Sequence, residues 1–332
     1  MENRLKELIE LVKHLPVCKH EEAINDLKEI QSNNDKKEEE KSVPPCPHCG
    51  GEYIVRFGFE HEHQRYKCKN CNRTFIERTE TIMAYSHQDD AVWESVASDT
   101  ANGVSIDKTA EALNLNHHTV FNMRHKILAT LDANEKENPT VLTGVCEADE
   151  TYVLDDYKGA KLPCEVTREP RKHGAVAQSK GISNEYIAIC TATSRDGGAV
   201  ALSVNRATPS SDEILEVFAS RLNNESFLLC DGAKSYNALE QNGVCGVKGI
   251  SNPKGTGFEN INTTNGFHSF IKSRIRAARG IATKYQNRYN ALFEKTYRNA
   301  KSAASDIWNI AKHNGTHFLD TKSLSSVGVL AI

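Results

Sequence analysis

No stretch of this chain approaches the roughly 20 consecutive apolar residues that a membrane helix requires, so no spanning segment is expected. The N-terminus, Met1-Glu-Asn-Arg-Leu-Lys6, lacks the apolar core of a secretory signal, and the expected location is the cytosol. Charge of one sign is scarce too. Lysine plus arginine number 41 and aspartate plus glutamate 44 among 332 residues, a net charge of -3, which does not by itself point to nucleic acid. The average hides a distribution. From Asn265 to Lys301 the cations Lys272, Arg274, Arg276, Arg279, Lys284, Arg288, Lys295, Arg298 and Lys301 face a single acid, Glu294. That segment is a basic surface.

A disulfide framework is also missing. There are ten cysteines, but Cys18, Cys146, Cys164, Cys190, Cys230 and Cys245 are scattered, several of them inside apolar runs where a thiol acts as a small buried residue. The other four are spaced as Cys46-Pro-His-Cys49 and Cys68-Lys-Asn-Cys71. Two such knuckles can fold back and place four thiolates around one Zn²⁺. A redox pair is the competing reading, and His48, His61 or His63 could replace a thiolate, although the four cysteines suffice. A ribbon this small would draw its folding energy from the metal. Gly50-Gly51 supplies a turn, and Tyr53, Val55 and Phe57 alternate as in a strand.

The chain is long enough for two or three domains. Residues 1–45 read as a helical N-terminal segment, with a break around Pro16, followed by a charged linker from Gln31 that ends in two prolines. The zinc ribbon occupies 46–80. From 88 to 131 the apolar period is helical. Val92, Trp93 and Val96 mark one helix; Ser105, Ala110 and Leu113 mark a second; after a turn at Asn114-Leu-Asn116, Val120, Met123, Ile127 and Leu128 mark a third. Helix, short polar turn, helix is the layout of a helix-turn-helix DNA-binding domain. Its recognition helix would expose His117, His118, Asn122, Arg124, His125 and Lys126. A plain three-helix packing domain is the alternative.

From 140 to 300 the texture becomes α/β, and 301–332 reads as a C-terminal tail. Val145 to Val153 reads as a strand with Asp149 near its centre. Glu185–Ser194 and Ala199–Ala207 are strands joined at Asp196-Gly-Gly198, Ser211–Leu222 is a helix, and Phe227–Cys230 is a strand ending at Asp231-Gly. Acids in an apolar strand are unfavourable unless they bind something. The order three strands, helix, strand, helices is that of an α/β ribonuclease-H-like domain, in which the first and fourth strands are neighbours and Asp149 and Asp231 converge.

Asn265 and Lys272 are seven residues apart, nearly two helical turns, and therefore share a helix face, with His268 between them. Phe267, Phe270 and Ile271 would pack inward. Two carboxylates in one cleft repel unless a cation lies between them, and oxygen donors with open positions suit Mg²⁺ or Mn²⁺. A pair of such ions clamps both oxygens of an in-line phosphodiester displacement. Lys272 would hold a DNA phosphate, joined by Arg274 and Arg276. Glu150 points to the opposite face of its strand from Asp149 and is discounted as a ligand. Buried structural aspartates are the plain alternative.

These stretches together resemble the insertion-sequence transposases of the DDE superfamily that carry an N-terminal zinc ribbon, the ISXO2-like group with an Asp-Asp-Asn-Lys pattern. The matching residues are the four ribbon cysteines, Glu147-Ala-Asp-Glu-Thr-Tyr-Val153, Lys180-Gly-Ile-Ser183, Asp231-Gly-Ala-Lys-Ser-Tyr236, Ile261-Asn-Thr-Thr-Asn265 with His268 and Lys272, and Gly280-Ile-Ala-Thr-Lys-Tyr285. They span nearly everything from 46 to 300. The resemblance implies a multidomain bacterial enzyme whose Asp149, Asp231 and Asn265 hold the catalytic metals. It further implies binding of double-stranded DNA at inverted repeats, strand cleavage, joining of 3′-hydroxyl ends to a target, and assembly as a homodimer or larger. Asn265 is neutral where the wider superfamily has glutamate, which weakens one metal site; its amide carbonyl still coordinates, and His268 is the alternative third ligand. The rival classes are a DNA-binding regulator, a nuclease or resolvase that cuts without joining, and an inactive remnant.

Overall fold

A computed structural model describes residues 43–60, 63–158, 176–252, 255–299 and 302–313. The expected helices of 1–30 and most of the linker lie outside the described residues, as do Cys18, Cys164 and positions 159–175 of the polar excursion. The chain divides between Thr79 and Glu80 into two units.

In the first unit, strands β1 (Ile54–Glu60), β2 (His63–Cys68) and β3 (Thr74–Phe75) form an antiparallel sheet in that order. Tyr66 and Phe75 stack at 5.5 Å and pack with Cys46 and Cys68 into a small core. The strand expected at Tyr53, Val55 and Phe57 forms from Ile54 onward, but all three side chains face solvent and no alternating buried face results. The knuckle, not an apolar face, is what this unit buries.

The second unit starts with helices α1 (Asp90–Asn102), α2 (Ile106–Ala112) and α3 (His117–Glu137). Three of their ends follow from local chemistry. Gly103 ends α1 with φ of 73°, a left-handed position that suits a residue without Cβ. Ser105 caps α2 by accepting the Lys108 amide, and Asn116 caps α3 by accepting the His118 amide. The predicted turn between α2 and α3 is present.

The remainder is a five-stranded mixed sheet with helices on both faces. Its elements are β4 (Gly144–Leu154), β5 (Tyr186–Ser194), β6 (Ala199–Arg206), α4 (Ser211–Phe218), β7 (Ser226–Cys230), α5 (Asn237–Gln241), β8 (Gly246–Gly249), α6 (Asn262–Ala277), α7 (Gln286–Thr296) and α8 (Ala303–His313). The strand order is β6-β5-β4-β7-β8. β4, β5 and β6 are antiparallel neighbours, whereas β7 and β8 run parallel to β4. Side-chain alternation sorts the faces. Cys146, Ala148, Cys190 and Ala192 pack against Ile214, Phe218 and Leu239 of α4 and α5. Ile189, Ala199 and Ala201 pack against Phe267, Ile271 and Phe293 of α6 and α7. Odd-numbered residues of β4, Asp149 among them, therefore face α6.

Three expectations change. β8 was not foreseen: Gly246-Val-Lys-Gly249 has poor strand propensity, and its pairing with β7 alone makes it a strand. The helix expected over Ser211–Leu222 ends at Phe218. The tail expected from 301 includes α8, whose Ala303, Ile307, Trp308 and Ala311 are buried with Trp93, Val96, Ile127 and Leu131. That core also takes in Ala291 and Leu292 of α7, so the helical segment and the α/β layer share one core.

Candidate functional site

In the ribbon, the four cysteine sulfurs all lie within 4.8 Å of one another. The Sγ atoms of Cys46 and Cys71, and of Cys49 and Cys68, are each 3.6 Å apart. A tetrahedral zinc with Zn–S bonds of about 2.3 Å spaces its sulfurs by about 3.8 Å, so the donor set fits the ion. The backbone amide of Cys71 leads in holding the Cys68 thiol down at about 7 against the effect of burial, with the Asn70 amide adding to it. The other sulfurs of the cluster push the Cys49 thiol the other way, up to about 12, so it is the sulfur geometry that matches zinc. Among the described residues, this is the one set of three or more His, Cys, Asp or Glu side chains gathered this closely. Asp149, Asp231 and His268 do not form a second.

The second site is built on the switch from antiparallel to parallel pairing. β4 and β7 are in register with Glu147 opposite Leu229. Two residues further on, the same register brings Asp149 level with Asp231, which directly follows the end of β7. Neighbouring strands are about 4.8 Å apart. Asp149 is half-buried and accepts the Glu150 amide at 2.9 Å. Burial, together with the charges of Glu150 and Asp231, pushes its carboxyl up to about 7, against the pull of the Glu150 amide and Lys272. Asp231 is exposed and accepts the Ala233 amide at 3.1 Å. A carboxyl pushed up by burial and by neighbouring negative charge, beside a second carboxylate, is donor chemistry that a hard divalent cation satisfies. Glu150 sits on the other face as expected, accepting the Tyr236 hydroxyl at 2.8 Å.

Helix α6 lies over Asp149. Asn265 is half-buried and Lys272 is exposed. His268 departs from the expected wet stripe: it is 7% exposed and packs on the same face as Thr264, Phe267 and Ile271. The reason is angular. An offset of three residues leaves His268 about 60° from Asn265, toward the packing face, where four residues separate it from Thr264. Burial, reinforced by the Lys272 charge, pushes its pKa down to about 4, so the ring is neutral at pH 7. The Thr191 hydroxyl has one proton and donates it to the Asp149 carbonyl at 2.7 Å. The 2.6 Å contact between Thr191 Oγ1 and His268 Nε2 therefore needs Nε2–H as donor. Nδ1 is left with a lone pair, 3.9 Å from Asp149 Oδ2.

Reading the residues one at a time missed the groups that fasten this helix. Glu147, fully buried, accepts the Thr263 amide at 2.7 Å, the Thr264 amide at 3.2 Å and Arg195 Nε at 2.7 Å. The Thr264 hydroxyl donates to the Glu147 carbonyl at 2.8 Å. The available signal was an acid two residues from Asp149 in an apolar strand.

The expected recognition surface on α3 is only partly present. His117 and His118 are exposed, with His117 Nδ1 2.6 Å from Asp107. Asn122 and Lys126 are half-buried, and Lys126 donates inward to the Ile82 carbonyl at 3.1 Å. Arg124 and His125 are buried, at 7% and 2% exposure. The expectation assumed that α3 was covered on one side. Tyr285 and Tyr289 cover a second side, with ring centroids 4.3 and 6.1 Å from that of His125. Arg276 is exposed, while Arg274 is half-buried and donates to the Asn102 carbonyl at 2.9 Å.

No protein-family model matches this sequence. A protein of Halobacterium salinarum, described as an uncharacterized protein in transposable element ISH50, is 24% identical over 254 residues, covering 75% of this chain and 83% of its own. Solved structures of a pre-cleavage Mos1 transpososome and of the Mos1 strand transfer complex align with 70% of this chain and 80% and 79% of theirs, at 12% identity and TM-scores of 0.25 and 0.28. Superpositions that weak do not establish a common fold.

Proposed function

We propose that this chain is a DNA transposase of a mobile element, which binds the element's ends, cuts a strand at each and joins the 3′-hydroxyls to target DNA. The observation that carries the reading is that Asp149 on β4 lies level with Asp231, just past the end of the adjacent parallel strand β7, under a helix that carries Asn265 and Lys272. The mixed strand order supports a ribonuclease-H-like core, and the likeness to a protein carried by a transposable element supports the biological context. Mg²⁺ or Mn²⁺ held by Asp149 and Asp231, with Asn265 or His268, would polarise the scissile phosphodiester and activate the attacking oxygen.

The protein's own groups do the positioning. Lys272 meets a backbone phosphate, the neutral His268 ring holds Asp149 through Thr191, and Glu147 fixes the register of α6 over β4. The four ribbon cysteines hold a structural zinc, and His117 and His118 contact DNA from the start of α3. Joining two ends to one target implies double-stranded DNA as partner and a homodimer or larger assembly, working in the cytoplasm on nucleoid DNA.

The test incubates the purified protein with Mg²⁺, labelled DNA bearing its element's end and a plasmid target, beside Asp231→Ala. Joined products from the wild type alone support the proposal. End binding without cleavage or joining by the wild type would replace it with a DNA-binding regulator.

A further inference from the structure

A cavity of about 770 Å³ opens between the α2–α3 helix pair and the segment that leaves the C-terminal end of α6. Neither the ribbon nor the Asp149–Asp231 cleft contributes to it. Its walls carry five cations, Arg124, Lys158, Arg274, Arg279 and Lys284, against one carboxylate, Asp107, which is already engaged by His117. The deepest of the five is Arg124. It is 7% exposed, donates Nη2 to Thr109 Oγ1 at 3.4 Å, which links it to Asp99 as its nearest acid, and has no hydrogen-bond partner at Nε. Beside it, His125 is 2% exposed with Nδ1 equally unpartnered. A guanidinium buried without a carboxylate in contact is costly, and the cost is offset when an anion enters.

The shape of the wall agrees with a backbone ligand more than with a small metabolite. Arg274 is steered across the mouth: its Nη1 bonds the Asn102 carbonyl, and a Cβ on Gly103 would come within 2.0 Å of that nitrogen. Arg279 stands at the rim with φ of 55°, exposed to solvent. The cations thus grade from buried Arg124 through half-buried Arg274 to exposed Arg279. Nine residues of helix separate Arg274 from Asn265, about 13 Å at 1.5 Å per residue. One duplex resting on the start of α3 would bring its backbone here while the same helix reaches the carboxylates.

We propose that this cleft binds phosphodiester groups of duplex DNA, independently of base sequence, and so joins the α2–α3 surface to the catalytic helix. The inference rests on the transposase reading for its choice of DNA. An inorganic phosphate or nucleotide has the same anionic chemistry, and the experiment separates the two sources.

Binding of the full-length protein to a fluorescent 30-base-pair duplex of arbitrary sequence is measured across a KCl series. The wild type is compared with an Arg274→Gln, Arg279→Asn double variant and with Lys136→Gln, a surface cation outside the cleft. Asparagine tolerates the left-handed backbone at 279, and glutamine keeps much of the Arg274 reach. The expected result is a log K against log [KCl] slope that is shallower by roughly 1.8 in the double variant, about 0.9 per lost phosphate contact. Affinity should fall equally for unrelated sequences, with Lys136→Gln unchanged. An unchanged slope in the double variant, or an equal change in Lys136→Gln, overturns the proposal. So does calorimetric binding of inorganic phosphate that the double variant loses while its duplex slope stays that of the wild type. Joining is assayed on the same samples. A wild type that joins ends but shows no cleft effect defeats this inference alone. A shallower slope in the double variant, when the wild type neither cuts nor joins, supports the cleft and defeats only the transposase reading.

Discussion

Glu147 Oε2 accepts the backbone amide of Thr263 at 2.7 Å, so the strand that carries Asp149 caps the helix that carries Asn265. Ile261 occupies the N-cap position and offers no side-chain acceptor; Asn260 Oδ1 takes the Asn262 amide at 2.9 Å, and the next two amides of α6 find their partner in Glu147. A carboxylate at that end also meets the positive pole of the helix dipole. The spacing of Glu147 and Asp149 on alternate residues of β4 makes one strand set both the acid and the height of the helix above it.

Glu147→Ala is expected to destabilise the second unit by about 3–5 kcal/mol, because it leaves the buried side of Arg195 and two helix amides unpaired. Urea unfolding measures this. Glu147→Gln, which retains an acceptor, should lose clearly less. Equal losses for the two variants would mean that the charge, not the cap, matters.

Thr191→Val removes the hydroxyl between His268 and Asp149 at nearly constant volume. Thermal unfolding should report a loss of about 1–3 kcal/mol from the unsatisfied Nε2–H. Strand cleavage should fall by about 10–100-fold, the usual cost of losing a group that orients a metal-site ligand, and Thr191→Ser should restore most of it. Full cleavage activity in Thr191→Val would remove the positioning role.

Acid should destabilise the helical core through His125. Burial, followed by the neighbouring charges of Arg288, Arg124 and Lys284, pushes its pKa down to about 3, and the rings of Phe121, Tyr285 and Tyr289 pack against it. Between about pH 6.5 and 3 the unfolded chain binds a proton that the folded one refuses, so stability falls as pH falls through that window, by at most about 1.4 kcal/mol per pH unit. His125→Phe should flatten that part of the stability–pH curve. An unaltered curve would exclude His125 as its source.

Removing zinc should unfold the ribbon alone. Both tryptophans, Trp93 and Trp308, lie in the core of the second unit, so their fluorescence reports that unit. Chelation is expected to release about one zinc per chain by elemental analysis and to open residues 46–79 to protease, with the tryptophan emission unchanged. Cys49→Ser should do the same. A protease-resistant ribbon after complete metal loss would contradict a metal-held fold.

Much of this was legible in the amino-acid order because it is governed by local rules. Cysteine spacing located the ribbon, alternation and turn residues located β4 to β7, and Ser105 and the turn at Asn114-Leu-Asn116 located α2 and α3 within a residue or two. Asp149 and Asp231 stood out as acids in or beside apolar strands, and Asn265 and Lys272 as polar residues two helical turns apart on one face.

What the tertiary structure decided are the matters that depend on a second element. β8 is a strand because β7 pairs with it, despite its two glycines. Arg124 and His125 are buried because Tyr285 and Tyr289, some 160 residues later in the chain, close over α3. His268 faces inward because β5 supplies Thr191 opposite it. Helical periodicity tells which residues share a face, but the solvent exposure of that face is set by what packs against it, and no local pattern encodes that.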